Sequence, residues 1–245
     1  MSHAAYDAIV DDYAAFVGTN LAEATSVLGV ATRGLLTLVG PVAGLAVCDL
    51  GCGEGHVARY LAGQRAQVVG VDISAALLQL ARARSGPDVR FVQDDAQQLR
   101  TLPDGAFDLV VSNLALMDIP DLAATYAAAQ RVLRPGGRFV FAVTHPCFQA
   151  PGTRVETDAA GNFQARSISR YTEEGFWRSD NPAGIRGKVG AYHRTLATYL
   201  NTLLAAGFTL TRLAEPAPPP GAYADSYTQA QVQVPAVLVV EACRP

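Results

Sequence analysis

The chain has 245 residues, 22 acidic against 19 basic, and half of them are hydrophobic. A formal net charge of -3 argues against the broad basic footprint that binds nucleic-acid backbones. No apolar run reaches the ~18 residues that a membrane helix needs. The length suits one α/β domain with an elaboration, which we take as a single unit over 1–245. Met1 to Asp7 contains no basic segment leading into an apolar core. The expected location is therefore the cytoplasm, with no nucleic-acid or membrane partner, as a monomer or homodimer. Cys48, Cys52, Cys147 and Cys243 form no C-x-x-C pair and read as buried free thiols. No His, Cys and carboxylate set stands at ligand spacing, so no metal is expected.

Residues 1–44 are Ala-rich and read as helical, with Tyr6, Ile9, Val10, Tyr13, Phe16 and Val17 on one apolar face that a lid would use. From residue 46 strands and helices alternate, the pattern of a parallel sheet. Strands are expected at 46–50, 67–73, 89–93, 107–114 and 138–144. Helices are expected at 55–62, 74–84 and 122–133, the second capped by Ser74 and the third stopped by Pro135-Gly136-Gly137. Residues 146–190 break this rhythm and read as an inserted lid. A helix at 196–206, a strand at 208–213, a proline-rich connector at 216–221 and a last strand at 234–242 complete the chain.

Two local features carry chemistry. Val47 to His56 runs from an apolar strand through Asp49 into Gly51, Gly53 and Gly55. Glycine permits positive φ and lets a ligand approach main-chain N–H groups, and the following helix presents unpaired donors, so this is a nucleotide-binding turn. About 20 residues beyond Gly51 comes Asp72, whose carboxylate can accept from both hydroxyls of a ribose. That carboxylate fits NAD and S-adenosylmethionine (SAM) equally.

Four segments separate the two. They are Gly51-x-Gly53-x-Gly55 itself, Asp94-Asp95-Ala96, Phe107 to Asn113, and Arg131 to Gly137. In this order they resemble the motifs of the class I SAM-dependent methyltransferases over roughly residues 45–145, and the whole chain resembles bacterial small-molecule members of that family. The resemblance implies a Rossmann-like doubly wound sheet of seven mostly parallel strands with an antiparallel C-terminal strand, preceded by N-terminal helices and carrying a lid insertion. It implies SAM as cofactor. Asp49, Gly51 and Gly53 would line the methionine moiety, Asp72 with Ile73 the ribose, and Asp95 with Ala96 the adenine, Asp94 competing with Asp95. Asn113 and Leu114 would lie under the sulfonium, and Tyr6 or Tyr13 would close over the carboxylate end.

Strand C-termini face the ligand crevice in such sheets, which places the segment after the fifth strand beside the transferred methyl. His145 stands there and His193 opens the late helix, so both are candidate general bases, with loop bonding or capping as the plainer roles. Tyr171, Phe176, Trp177 and Tyr192, with Met117, would wall a small-molecule acceptor; a satellite core under the insertion is the alternative. The expected activity is methyl transfer to an O or N atom of that acceptor. Binding SAM for another reaction, RNA or protein methylation, and dinucleotide oxidoreduction are the competing readings. Ser112-Asn113-Leu114-Ala115 lacks the Asn/Asp-Pro-Pro-aromatic element that clamps a flipped base.

Overall fold

The computed structural model describes residues 4–219 and 225–245. The first three residues and the end of the 216–221 connector lie outside the described residues. The N-terminal segment folds as α1 (Ala4–Asp7), α2 (Val10–Ala22) and α3 (Val27–Val39). The alternating core then runs β1 (Ala46–Leu50), α4 (His56–Gly63), β2 (Gln67–Asp72), α5 (Ala75–Arg84), β3 (Val89–Gln93), β4 (Phe107–Asn113), α6 (Leu122–Val132) and β5 (Leu133–Thr144). Ser74 caps α5 by accepting from the Leu77 N–H at 3.1 Å, as its position before an apolar helix predicts.

After β5 come the hairpin β6 (Arg154–Thr157) and β7 (Phe163–Ser167), then β8 (Gly175–Trp177), α7 (Ile185–Val189) and β9 (Ala191–His193). The chain closes with α8 (Leu196–Ala205), β10 (Thr209–Ala214), α9 (Ser226–Gln233) and β11 (Val237–Cys243). The insertion is thus built of regular elements: β6 pairs with β7, and β8 pairs with β9, both antiparallel. Helix α9 has no counterpart in the sequence reading. Its segment, Ser-Tyr-Thr-Gln-Ala-Gln-Val-Gln, carries almost no apolar face, and Asp225 starts it by accepting from the Thr228 N–H at 2.8 Å. It packs on the β6–β7 hairpin, where the Phe163 N–H donates to Gln229 at 3.0 Å.

The seven-stranded sheet has the order β10-β11-β5-β4-β1-β2-β3. The β1, β2, β3, β4 and β5 pairings are parallel, and β11 runs against both β5 and β10. Leu109, Val110 and Val111 of β4 are all fully buried because helices cover both faces. Leu109 and Val111 join Leu35, Leu61 and Leu78 on one side. Val110 joins Tyr126, Phe139, Phe141 and Leu203 on the other.

One turn differs from expectation. Leu133 enters the strand directly from α6, pairing with Phe107, and the next partners are Leu109 and Arg138. Pro135-Gly136-Gly137 is therefore a bulge inside β5, with Gly136 at φ +76°. Among the described residues no single helix is long and apolar enough to cross a membrane.

Candidate active site

The strand order reverses between β1 and β4, and an open α/β sheet binds ligands in the crevice outside the strand C-termini at such a point. A cavity of ≈ 670 Å³ opens there, within the ~300–1,000 Å³ of small-molecule sites. Its floor is the turn after β1. The N–H groups of Gly51 and Cys52 both donate to Val71 O, at 2.8 and 3.0 Å, which binds the turn to β2. Gly51 has φ +70°, and a Cβ there would stand 2.4 Å from the Ala115 Cβ. At Gly53, with φ +54°, a Cβ would stand 3.2 Å from the Tyr13 hydroxyl. The tyrosine of α2 thus reaches down onto the turn, and Tyr6 meets it edge to face with ring centroids 5.3 Å apart.

Asp72 lines the cavity at the end of β2. Its Oδ2 accepts from the Gly53 N–H at 2.8 Å and its Oδ1 from the Ser74 N–H at 2.9 Å. Burial raises its pKa, while the Ser74 and Gly53 N–H groups oppose the rise. After β3, Asp94 accepts from Thr101 N at 2.7 Å and Thr101 Oγ1 at 2.5 Å, a loop closure that occupies one of its oxygens. The Asp95 carboxylate is held by the Gln97 side chain, at 3.0 and 3.1 Å. Ile73, Ala96, Asn113 and Leu114 also line the cavity. The Asn113 amide donates to Thr32 Oγ1 at 2.9 Å, and its Oδ1 is buried without a hydrogen-bond partner.

Asp49 stands differently from the sequence expectation. It does not line the cavity; it is 1% exposed behind the turn, with Oδ2 unpartnered. Burial pushes its pKa up to about 7 against a backbone hydrogen bond from Ala58. Glu54, also 1% exposed, is tied to Arg59 and Arg84 at 2.9 and 2.8 Å. Burial opposes ionisation of Glu54, yet hydrogen bonds from His56, Arg84 and Arg59 outweigh it and hold its pKa at about 2.

The two histidines part company. His145 lines neither this cavity nor its neighbour. Its Nδ1 accepts from the Cys147 N–H at 3.2 Å, so Nε2 carries the proton and donates to Glu215 at 2.8 Å. With both nitrogens engaged and the ring tilted against Phe148 at 4.5 Å between centroids, His145 braces the turn after β5, away from the cavity. His193 donates from Nε2 to Tyr171 O at 2.7 Å. That leaves Nδ1 as the acceptor nitrogen, and the residue lines a second cavity of ≈ 100 Å³ beside the first.

Met117, Trp177 and Tyr192 line that smaller cavity, and Tyr192 lines both. Tyr171 and Phe176 are not walls of either. The Tyr171 hydroxyl accepts from the Leu196 N–H at 3.0 Å and pins the start of α8, whereas Phe176 is 45% exposed and rests on Tyr192. Aromatic content alone could not show which rings the hairpin β8–β9 turns inward.

Sequence reasoning also missed three groups. Asp118, just past β4, receives the Tyr6 hydroxyl at 3.0 Å and pairs with Arg186 of α7, so one carboxylate joins the N-terminal helices to the insertion. Arg194 is 7% exposed and donates to Leu116 O, Ile119 O and Pro120 O at 3.0, 2.6 and 2.7 Å. Gln231 of α9, 1% exposed, lines the large cavity. Asp118 and Arg194 were within reach as charged residues at strand-end and helix-start positions. Gln231 carried no signal.

Comparison with known proteins accords with this geometry. A family model described as a methyltransferase domain matches residues 48–141. The crystal structure of a SAM-dependent methyltransferase from Mesorhizobium loti is 33% identical with a TM-score of 0.74, covering 89% of this chain and 100% of that one. The chain belongs to the SAM-dependent methyltransferases. Its fold is the class I Rossmann-like fold and its cofactor is SAM.

Among curated relatives of this methyltransferase, an uncharacterized Haemophilus influenzae protein is 29% identical over 74% of each chain. The trans-aconitate 2-methyltransferase of Deinococcus radiodurans is 39% identical over 47% of this chain. A ubiquinone biosynthesis O-methyltransferase of Aromatoleum aromaticum is 35% identical over 44% of it. The chain spans about half the length of these two named enzymes, 46% and 48%.

The residues present fit the cofactor on three observations. Carboxylates stand at the ends of β2 and β3, the unpartnered Asn113 Oδ1 stands at the end of β4, and the Gly53–Tyr13 contact leaves no room for a side chain on the turn.

Proposed function

We propose that this methyltransferase alkylates an O or N atom of a small-molecule acceptor. The observation that carries the reading is the continuity of one cavity from Asp72 and Asp95 to Tyr192 and Arg186, so that donor and acceptor share a single space closed by α1, α2 and the insertion. Gly51 and Gly53 would hold the methionine moiety, with Tyr13 over it, Asp72 and Ile73 the ribose, and Asp95 and Ala96 the adenine. Both acids already accept protein hydrogen bonds, Asp94 from Thr101 and Asp95 from Gln97 and Gln98, so Asp94 stays the competing carboxylate for the adenine. Asn113 and Leu114 would face the sulfonium, and Asp49 would act from behind the turn through its charge. When bound, SAM supplies a methyl group on an already activated leaving group.

The protein's own task is then to align the acceptor, exclude water and remove a proton where the acceptor needs it. Tyr6 and Arg186 meet on Asp118, which holds the N-terminal helices and the insertion together over the cavity. Proton removal falls to His193, whose Nε2 bond to Tyr171 O fixes the tautomer with a basic Nδ1. Met117, Trp177 and Tyr192 would wall the acceptor. Of the 41 described residues around the large cavity only Arg186 is a cation, which supports a small-molecule acceptor over a nucleic acid.

The test is production of S-adenosylhomocysteine (SAH) over a panel of phenols, hydroxy acids and amines, with product masses raised by one methyl. Turnover of His193→Gln is expected to fall ~10²- to 10⁴-fold while its affinity for SAH stays unchanged. Equal turnover would remove His193 from the chemistry, and a panel with no product would count against methyl transfer to small molecules.

A further inference from the structure

The smaller cavity adjoins the larger one, and the two share Thr144, Gln149, Arg186, Ala191 and Tyr192. Its volume of ≈ 100 Å³ is about that of three liquid waters. Two guanidinium groups, Arg186 and Arg194, line it, and among the described residues no Asp or Glu does. The Arg194 guanidinium is buried against three carbonyls and lies 5.3 Å from the Tyr192 ring centroid. No carboxylate among the described residues forms an ion pair with it. Buried charges are ordinarily paired, so this one leaves a positive potential in the chamber.

Arg186 bonds through Nη1 to Asp118 and to Gly190 O, and its Nε and Nη2 make no hydrogen bond among the described residues. Asp118 does not line the chamber. The third group is Gln149, whose Nε2 is buried with no partner. A buried donor without an acceptor is uncommon in folded proteins and marks a place where an acceptor atom is missing.

We propose that this chamber is a carboxylate subsite of the acceptor. A carboxylate entering past Tyr192 would accept hydrogen bonds from Gln149 Nε2 and from the open edge of Arg186, with the Arg194 charge behind it. The planar guanidinium edge matches a carboxylate fork. Because Asp118 offsets Arg186, the chamber presents one net positive charge, which suits a monoanion better than a dianionic phosphate. The acceptor is then a carboxylic acid whose attacking O or N atom stands at the mouth that joins the chamber, and with it His193, to the larger cavity. This rests on the preceding reading only in taking that cavity as the acceptor's seat.

Trp177 lines the chamber and is the one tryptophan in the sequence, so its indole N–H resonance reports on this place alone. SAH-loaded protein is titrated with sodium acetate, and in parallel with acetamide and with sodium chloride at matched ionic strength. Acetate is expected to shift the indole signal saturably while the other two do not. Gln149→Leu and Arg186→Gln are each expected to weaken acetate about tenfold, the effect of one hydrogen bond to a charged group. A shift that is absent, is reproduced by acetamide, or is untouched in Gln149→Leu overturns the subsite. Should Arg186→Gln fail to fold, the wild-type comparison and Gln149→Leu still decide. No turnover enters the titration, so failure here leaves methyl transfer standing, and absent turnover leaves the titration valid.

Discussion

Asp49 and His145 show how burial governs single residues near this site. The Asp49 carboxyl has a pKa of about 7 in the fold against an ordinary 3.8, because burial disfavours its charge. A raised acid lends stability at low pH and loses it as pH rises. Its cost therefore grows from about pH 4 to about pH 7 and is constant above. Asp49→Asn is expected to melt several degrees above the wild type at pH 8, the gap closing toward pH 4, and to bind SAM more weakly at pH 8. Melting curves over that range, with calorimetric SAM titrations, check both.

His145 has the opposite sign. Burial lowers its pKa from 6.5, only partly offset by Glu215, so the fold favours the neutral ring. Its contribution is complete above about pH 6.5 and is lost as pH falls through the lowered value. His145→Gln is expected to be less stable than the wild type at pH 8, with the difference shrinking by pH 5. Urea midpoints at the two pH values measure it. A difference independent of pH would mean that the ring titrates alike folded and unfolded.

At the scale of elements, the turn from β1 to α4 is the most constrained. Gly51 combines φ +70° with a Cβ position 2.4 Å from Ala115, so strain and overlap act together. Gly51→Ala is expected to cost about 1–3 kcal/mol in denaturant unfolding and to displace the loop carrying Leu114, itself at φ +55°. SAM affinity should fall with it, whereas Gly40→Ala, with positive φ but open space around its Cβ, should leave binding untouched. Much of this element was legible in sequence, since glycines after an acid-ended strand admit few other structures. The insertion was legible only as an interruption. Its hairpins and α9 arise from pairing between segments that lack strong periodicity, and α9 is held by contacts to β7 that no local pattern encodes.

Across the whole molecule, the sheet is a shared wall between two cores, and the core on one face rests on Tyr126, Phe139 and Phe141. Phe139 and Phe141 stand 5.1 Å apart by ring centroids and are fully buried. Phe141→Ala is expected to cost about 3–5 kcal/mol in urea unfolding and to disturb β11, whose Val240 is its register partner. A loss under 1 kcal/mol would mean that the site collapses around the cavity.

The sequence by itself determined the strand and helix order over residues 46–144, the glycine turn, and the acids after β2 and β3. Each is a local property, set by hydrophobic period, by the freedom of glycine, or by a carboxylate ending an apolar run. Only the tertiary structure decided which side chains meet over the crevice. It turned His145 away onto Glu215, set His193 beside a second cavity, and brought Tyr6, Asp118 and Arg186 together from three distant segments. Those outcomes depend on long-range packing that adjacent residues do not encode, and so the methyl donor could be read from the chain while the acceptor's surroundings could not.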